Sequence, residues 1–239
     1  MSPPIKVELK PGAYKTDLKP VWCPGCGDFG VLNALYRSMA ALQIEPWNTV
    51  ILSGIGCSSR LPGYVTTYGF NGVHGRALTL ATGVKMARPE LTVIAVGGDG
   101  DGLAIGGNHL IHACRRNLDV TYIMMDNDMK GMTELITKAI EHDGFSFLNA
   151  MSPCVTWRGD DEFKRLKAMH QKLPEDHDPS RRANAIGYTR EKDVMTTGVL
   201  YEVEVPTMID RVEAIKREAM GDKPAPSTKE ILKTFYPSF

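Results

Sequence analysis

The chain has no excess of either charge. Its 239 residues carry 28 Lys and Arg against 28 Asp and Glu, so the balance gives no reason to expect nucleic acid or an anionic membrane as partner. Long apolar runs are missing too. None reaches the roughly 20 residues that a bilayer crossing takes. The opening MSPPIKVELKPGAYK lacks the apolar stretch of a secretory signal, so a cytoplasmic protein is expected. No internal repeat or low-complexity tract appears. Cysteine is scarce and odd in number, at five. In a reducing compartment a Cys-x-x-Cys marks a metal or redox site more often than a disulfide framework. The length suffices for one substantial core and does not demand two domains.

What is present is an alternation of helical and strand-like segments. Pro at 3, 4, 11 and 20 discourages helix in the first 22 residues. Asp28 is placed to cap a helix running to about Gln43, with Val31, Leu32, Leu35, Met39 and Leu42 at helical spacing. Thr49–Leu52 reads as a short buried strand. Residues 76–88 suit a small-residue helix that packs closely through Ala77, Ala81 and Gly83. Leu91–Val96, Asp119–Met125 and Phe145–Ala150 read as further strands, separated by helices over 103–116 and 133–142. Strands that are continuous apolar runs and alternate with helices imply an α/β fold, a mostly parallel sheet with helices on both faces. Ligands of such sheets bind beyond the carboxyl ends of the strands. Cys57, Asp99, Asn127 and Cys154 all fall just after expected strands. Residues 158–182 are polar and charge-rich and read as a surface excursion, and 200–220 reads as a helix against the sheet or an arm that docks a partner.

Gly98-Asp99-Gly100 ends one strand and Asn127 ends the next. Their side-chain oxygens, with a backbone carbonyl near Met129, form a hard-oxygen set suited to Mg²⁺ holding a diphosphate. The glycines let backbone N–H groups approach phosphate, and the helix expected from Leu103 aims its positive end there. Alone, a Gly-Asp-Gly is also simply a tight turn; Asn127 at the next strand end argues for the metal. His74-Gly75-Arg76 reads as a pocket lining or as a capped helix start with a surface Arg.

Cys23-Pro24-Gly25-Cys26 places two thiols on one side of a turn. Cys57 and Cys154, each after a strand, complete a tetrathiolate that serves Zn²⁺ or Fe–S equally. Cys114 lies within a helix and reads as an inert buried residue. A thioredoxin-like dithiol would need the motif to follow a strand and open a helix in a different context.

Taken together, LKPVWCPGCGDFGVLNAL (18–35), GIGCSSRLP (54–62), HGRALTLATGVK (74–85), GGDGDGLAIGGNHLIHACRRN (97–117), DNDMKGMT (126–133) and GFSF…SPC (144–154) resemble the β subunit of 2-oxoacid:ferredoxin oxidoreductases. The resemblance covers most of 18–157. It implies a thiamine diphosphate-binding fold with Mg²⁺ on Asp99, Asn127 and the carbonyl of Met129. Gly56, His74, Gly98, Gly100 and Asp101 would line that cofactor. Cys23, Cys26, Cys57 and Cys154 would ligate one 4Fe–4S cluster, and Arg60 is a candidate contact for the substrate carboxylate, although a solvated surface Arg is the other reading. The implied reaction is oxidative decarboxylation of a 2-oxoacid, 2-oxoglutarate favoured and pyruvate the other option, with coenzyme A to acyl-CoA, CO₂ and reduced ferredoxin. The Glu that activates the cofactor is supplied in this family by the partner α subunit. Glu45 and Glu90 lie at the wrong sheet edge for it, so the chain is expected to work as a heterodimer.

One departure from the family pattern stands out. A Gly-Gln-x-Ser-Pro-Thr loop, a strand and a helix normally follow the equivalent of Met132-Thr133. Here Met132 runs straight into TELITKAIEHDGFSF, which resembles the element beyond that insert. Deleting a strand from a parallel sheet exposes core edges, which favours a segment that the protein has and this sequence omits. The organisation expected is a thiamine diphosphate and Fe–S unit over 1–157 and a partner-docking extension over 158–239. Two other classes stay in view: a non-redox thiamine diphosphate enzyme, which leaves the cysteines unexplained, and a zinc-stabilised binding module, which leaves Asp99 and Asn127 unexplained.

Overall fold

Uninterrupted apolar runs such as TVILS and TVIAVG have no polar face to give to water, and they form strands buried on both sides. The computed structural model describes residues 8–127, 131–159, 161–221, 224 and 226–236. Along the chain come α1 (Asp28–Ala41), β1 (Thr49–Ser53), β2 (Tyr68–Asn71), α2 (Ala77–Ala87), β3 (Thr92–Gly97), α3 (Gly107–Arg116), β4 (Thr121–Asn127), α4 (Met132–Glu141) and β5 (Ser146–Met151). There follow α5 (Val155–Arg158), α6 (Glu162–Met169), β6 (His170–Lys172), α7 (Arg182–Arg190), β7 (Met195–Thr197), α8 (Met208–Met220) and α9 (Thr228–Phe235).

Strands β1 to β5 make one parallel sheet in the order β2-β1-β3-β4-β5. Successive residues serve opposite faces. Ile51, Ile94, Val96, Ile123 and Met125 pack with Val31, Leu35 and Met39 of α1 and Ile136 of α4. Leu52, Val93, Ala95, Tyr122 and Met124 pack with Ala77, Leu78 and Ala81 of α2 and Ala113 of α3. Each large side chain so buried contributes about 1.5–3 kcal/mol. An exposed ion pair contributes about 0–1 kcal/mol, so these two apolar layers set the architecture. The strand order reverses direction between β1 and β3, and such a switch point opens a crevice at the carboxyl edge.

The expected strands and helices through residue 151 are present, with several differences. Strand β2 (YGFN) is additional; it pairs with β1 at the sheet's edge and all four residues are exposed. The segment after Asp99 is not one helix from Leu103. A π-helical turn over Gly100–Ile105 precedes α3. Gly83 is exposed and makes no close contact, so of the three small residues only Ala77 and Ala81 pack. Cys114 is exposed. Its neighbour Ala113 takes the buried place, because one step along a helix turns the side chain by about a quarter of a circle. In 158–182, α6 buries Leu166, and β6 pairs with β7 as a second, two-stranded parallel sheet. Helix α4 connects β4 to β5, which lie side by side over Thr121–Asn127. The sheet therefore closes without a gap where the family's extra strand was expected.

Two polar anchors hold the edges. Asn117 sits in the left-handed region at φ 50°. Its side chain donates to Val205 O and accepts from Phe145 N, both at 2.9 Å, and its carbonyl accepts from Met208 N. This fixes the entry to α8, which Thr207 and Asp210 close with a capping box. Beyond that entry, no residue of α8 or α9 is buried. Lys85 is 4% exposed, donates to Leu91 O at 2.8 Å and pairs with Asp119 at 2.5 Å. It ties α2 to the chain entering β3 and to the turn before β4. Lys85→Met removes the charge and leaves both partners unmatched. Its expected cost is about 1.5–3 kcal/mol, seen as a lower urea midpoint at an unchanged slope.

Candidate functional site

The carboxyl edge of the sheet gathers the expected residues. Cys57 follows β1, Asp99 follows β3, Asn127 ends β4 and Cys154 follows β5. The side chain of Asn127 and all of Met129 lie outside the described residues. Asp99 is exposed, at the start of the π-helical turn.

Three sets of contacts draw the cysteine-bearing loops together. The Cys23–Cys26 turn closes through Cys26 N on Cys23 O at 3.0 Å. Trp22 ties this turn to the second loop. Its indole Nε1 donates to Cys57 O at 2.8 Å. Phe29 and Tyr64 hold the ring edge-on from two sides, with centroids at 5.3 and 5.0 Å. Gly27 ties the turn to the third loop. Its N–H donates to Pro153 O at 3.0 Å, and a Cβ here would stand 2.5 Å from Pro153 Cδ and 2.6 Å from Ser152 Oγ. Beside it the buried Asp28 accepts from the Ser152 hydroxyl at 2.6 Å.

The thiols sense one another. Burial pushes Cys26 up to about 11 against a hydrogen bond from the Asp28 backbone, and the charges of Asp28, Cys57 and Cys154 add to the rise. Burial raises Cys57 as well, and Asp28, Cys154 and Cys23 add to it. Burial likewise pushes the Asp28 carboxyl up, against hydrogen bonds from Ser152 and Cys26. Cys26 thus feels Cys57 and Cys154, and Cys57 feels Cys154 and Cys23, all as free thiols. Among the described residues no group of three or more His, Cys, Asp or Glu is gathered to hold a metal ion.

The crevice between β1 and β3 has its own polar features. Ser58, 4% exposed, has a hydroxyl with no hydrogen-bond partner among the described residues. It lies 3.7 Å from where a Cβ on Gly98 would stand and 3.9 Å from one on Gly56. Beside Gly100 a Cβ would meet nothing within 4 Å. A buried hydroxyl without a partner costs free energy unless something else satisfies it, so this crevice suits a polar ligand. His74 is half-exposed beside it, with Nδ1 2.8 Å from Asp101 Oδ1. Asp101 itself turns inward: Ile55 N at 3.0 Å and Gly75 N at 2.7 Å donate to that same oxygen. The inward carboxylate was not foreseeable from sequence, since its partners lie 46 and 26 residues away. Arg60 is exposed on the helical turn after Cys57.

Residues 54–150 match the thiamine pyrophosphate enzyme, C-terminal TPP binding domain family. Residues 154–217 match the family formed by the C-terminal part of the pyruvate ferredoxin oxidoreductase beta subunit. The chain is 50% identical to 2-oxoacid:ferredoxin oxidoreductase 2, subunit beta, of Aeropyrum pernix over 121 residues, which make up 51% of this chain and 39% of that relative. It is 30% identical to the 2-oxoglutarate synthase subunit KorB of Methanothermobacter marburgensis over 84% of this chain and 89% of the relative. A solved structure, 2-oxoglutarate:ferredoxin oxidoreductase from Magnetococcus marinus with 2-oxoglutarate, coenzyme A and succinyl-CoA bound, superposes with a TM-score of 0.87 at 34% identity, covering 94% of this chain and 95% of that one. This is a thiamine diphosphate-type α/β fold, and the chain belongs to the family of 2-oxoacid:ferredoxin oxidoreductase beta subunits. The chain spans about two fifths of the Aeropyrum relative. The alignment with the Methanothermobacter relative runs over 254 positions, more than the 239 residues here, so that relative carries residues this chain does not match.

The closeness of Gly27 to Ser152-Pro153 gives a direct test. Gly27→Ala drives a methyl into backbone and is expected to cost about 1–3 kcal/mol. It should also separate Cys154 from the Cys23–Cys26 turn. Thermal unfolding followed by circular dichroism, with crosslinking of Cys26 to Cys154 by a short dithiol-reactive reagent, checks both; unchanged crosslinking would contradict the packing described.

Proposed function

We propose that the chain is the β subunit of an enzyme that oxidatively decarboxylates a 2-oxoacid with coenzyme A and passes the electrons through a 4Fe–4S cluster to ferredoxin. The observation that carries this reading is that the Cys57 loop, the Cys154 loop and the Gly-Asp-Gly loop leave one sheet edge, with the Cys23–Cys26 turn tied to the first two. The Cys57 loop and the Asp99 loop leave the two strands that flank the crevice. 2-Oxoglutarate is the favoured substrate. The Methanothermobacter relative is named a 2-oxoglutarate synthase subunit, and the Magnetococcus structure holds 2-oxoglutarate and succinyl-CoA.

Thiamine diphosphate, when bound, supplies the electron sink for decarboxylation, and the cluster takes electrons away. The chain's own residues hold and orient these groups. Asp99, Asn127 and the carbonyl of Met129 would hold Mg²⁺ as oxygen ligands. Ser58, Gly56, His74, Gly98 and Gly100 would line the diphosphate crevice, with Asp101 turned inward and holding His74. Cys23, Cys26, Cys57 and Cys154 hold the iron. A single Zn²⁺ at about 2.3 Å draws four sulfurs to one point. A four-iron cluster gives each thiolate its own iron. Cys26 is held protonated by burial, so cluster loading must release its proton. Arg60, exposed on the turn after Cys57, would contact the substrate carboxylate.

The activating Glu is supplied by the α subunit; Glu45 and Glu90 precede β1 and β3 and so lie on the opposite edge. Residues 158–239 act as a docking arm for that subunit, which the exposed helices α8 and α9 support. The loop that follows Met132 in relatives would lie over the cofactor. We assign the enzyme to the cytoplasm; no helix among the described residues is long and apolar enough to cross a membrane.

Anaerobic visible and EPR spectra with metal counts, taken on the chain co-expressed with its α subunit, are the test. About four irons per chain and a dithionite-reducible signal are expected; zinc alone would overturn the redox half. Asp99→Ala should lose thiamine diphosphate binding by calorimetry and keep its iron. Cys154→Ala should do the reverse and lose ferredoxin reduction. An Asp99→Ala protein with normal cofactor affinity would remove the metal assignment.

A further inference from the structure

Asp101 is 2% exposed, and one of its oxygens receives three protein donors. The donors come from separate loops. Ile55 N belongs to the loop after β1 that carries Cys57 two residues on. Gly75 N and His74 Nδ1 belong to the loop between β2 and α2. Asp101 itself stands two residues beyond Asp99, in the loop after β3. With an acceptor oxygen as its partner, His74 Nδ1 must carry the proton. The surrounding glycines show how tightly this point is closed. A Cβ on Gly54 would stand 2.0 Å from Asp101 Oδ1 and one on Gly106 would stand 2.3 Å from Asp101 O and 3.1 Å from Gly75 O. Charge-assisted hydrogen bonds are about twice as strong as neutral ones, and no other side chain among the described residues bridges these three loops.

We propose that Asp101 is a positioning residue that locks the cluster loop to the diphosphate loop, so that filling the diphosphate site is felt at the backbone beside Cys57. This rests on the functional reading above and adds a mechanical link between its two sites. Metal held at Asp99 restrains the loop after β3. That restraint passes through the Asp101 carboxylate to the amides of Ile55 and Gly75, which share one oxygen. The same link fixes the spacing between the cluster and the cofactor, on which electron transfer between them depends.

Hydrogen exchange of the chain co-expressed with its α subunit, with and without Mg²⁺ and thiamine diphosphate, tests the lock. In the wild type, adding the cofactor should slow exchange at the Ile55 and Gly75 amides together. Asp101→Ala should raise exchange at both amides without ligand, by about tenfold or more for the loss of a charge-assisted bond, and should abolish the response at Ile55. Asp101→Asn keeps a carbonyl oxygen and should retain part of the response. Its circular dichroism melt guards against a general loss of fold. A general loss of stability would speed exchange throughout the sheet. The lock requires the change to be confined to the two loops. Unchanged exchange at either amide in Asp101→Ala, or a persisting response at Ile55, overturns the proposal. A wild type that binds no thiamine diphosphate overturns the functional reading and the communication between sites, while the ligand-free comparison still decides the lock.

Discussion

Parallel strands sealed on both faces leave the molecule little freedom over where its polar chemistry goes. Ile51, Ile94 and Ile123 point into one apolar layer, and Leu52, Ala95 and Met124 into the other. A charged or metal-binding side chain in either layer would have to be desolvated, at a cost of several kcal/mol. The polar residues therefore collect past the last apolar residue of each strand. Because all five strands run the same way, their last residues share one edge. Cys57, Asp99, Asn127 and Cys154 come together for that reason, and not because any pair of them is close in sequence.

Gathering the thiols on one edge is not enough to hold them at one place, because loops keep backbone freedom that strands have lost. The fold answers with contacts between backbone and rigid groups. Trp22 is wedged by Phe29 and Tyr64 before its N–H reaches Cys57 O. The Gly27 backbone rests directly on Pro153, with the buried Asp28–Ser152 bond alongside. A buried carboxyl held above its usual range by desolvation is a cost. It is borne next to Cys26 and Cys154, where the gain is a fixed spacing between two loops.

Much of this was legible in the sequence, for a physical reason. Sites formed by short segments carry their geometry locally, so Cys-Pro-Gly-Cys and Gly-Asp-Gly show themselves, and continuous apolar runs show the buried strands. The edge strand Tyr68–Asn71 did not show itself. Four exposed residues with a glycine among them carry neither the apolar run nor the alternation that marks a strand. The π-helical turn over Gly100–Ile105 was hidden too, because a glycine-rich stretch fits several tight turns equally. Cys114 was misplaced by one helical step: its apolar character matches a buried position, but Ala113 occupies the face that meets the sheet.

The tie through Asp101 belongs to a different class, because it depends on register between three loops and leaves no local trace. The reversal of strand order between β1 and β3 sends their following loops apart and opens the crevice. A crevice opened in this way is also a hinge, since nothing in the sheet's hydrogen bonding restrains the loops above it. Some group must cross beneath the opening. The space allows only a short side chain, given that Gly54, Gly97 and Gly106 already stand where any Cβ would meet Asp101. A carboxylate meets that demand: it is short, and it can accept from several N–H groups at once. Gly54 makes room for the Asp101 carboxylate, Gly97 for the Tyr122 hydroxyl and that carboxylate together, and Gly106 for the Asp101 main-chain carbonyl.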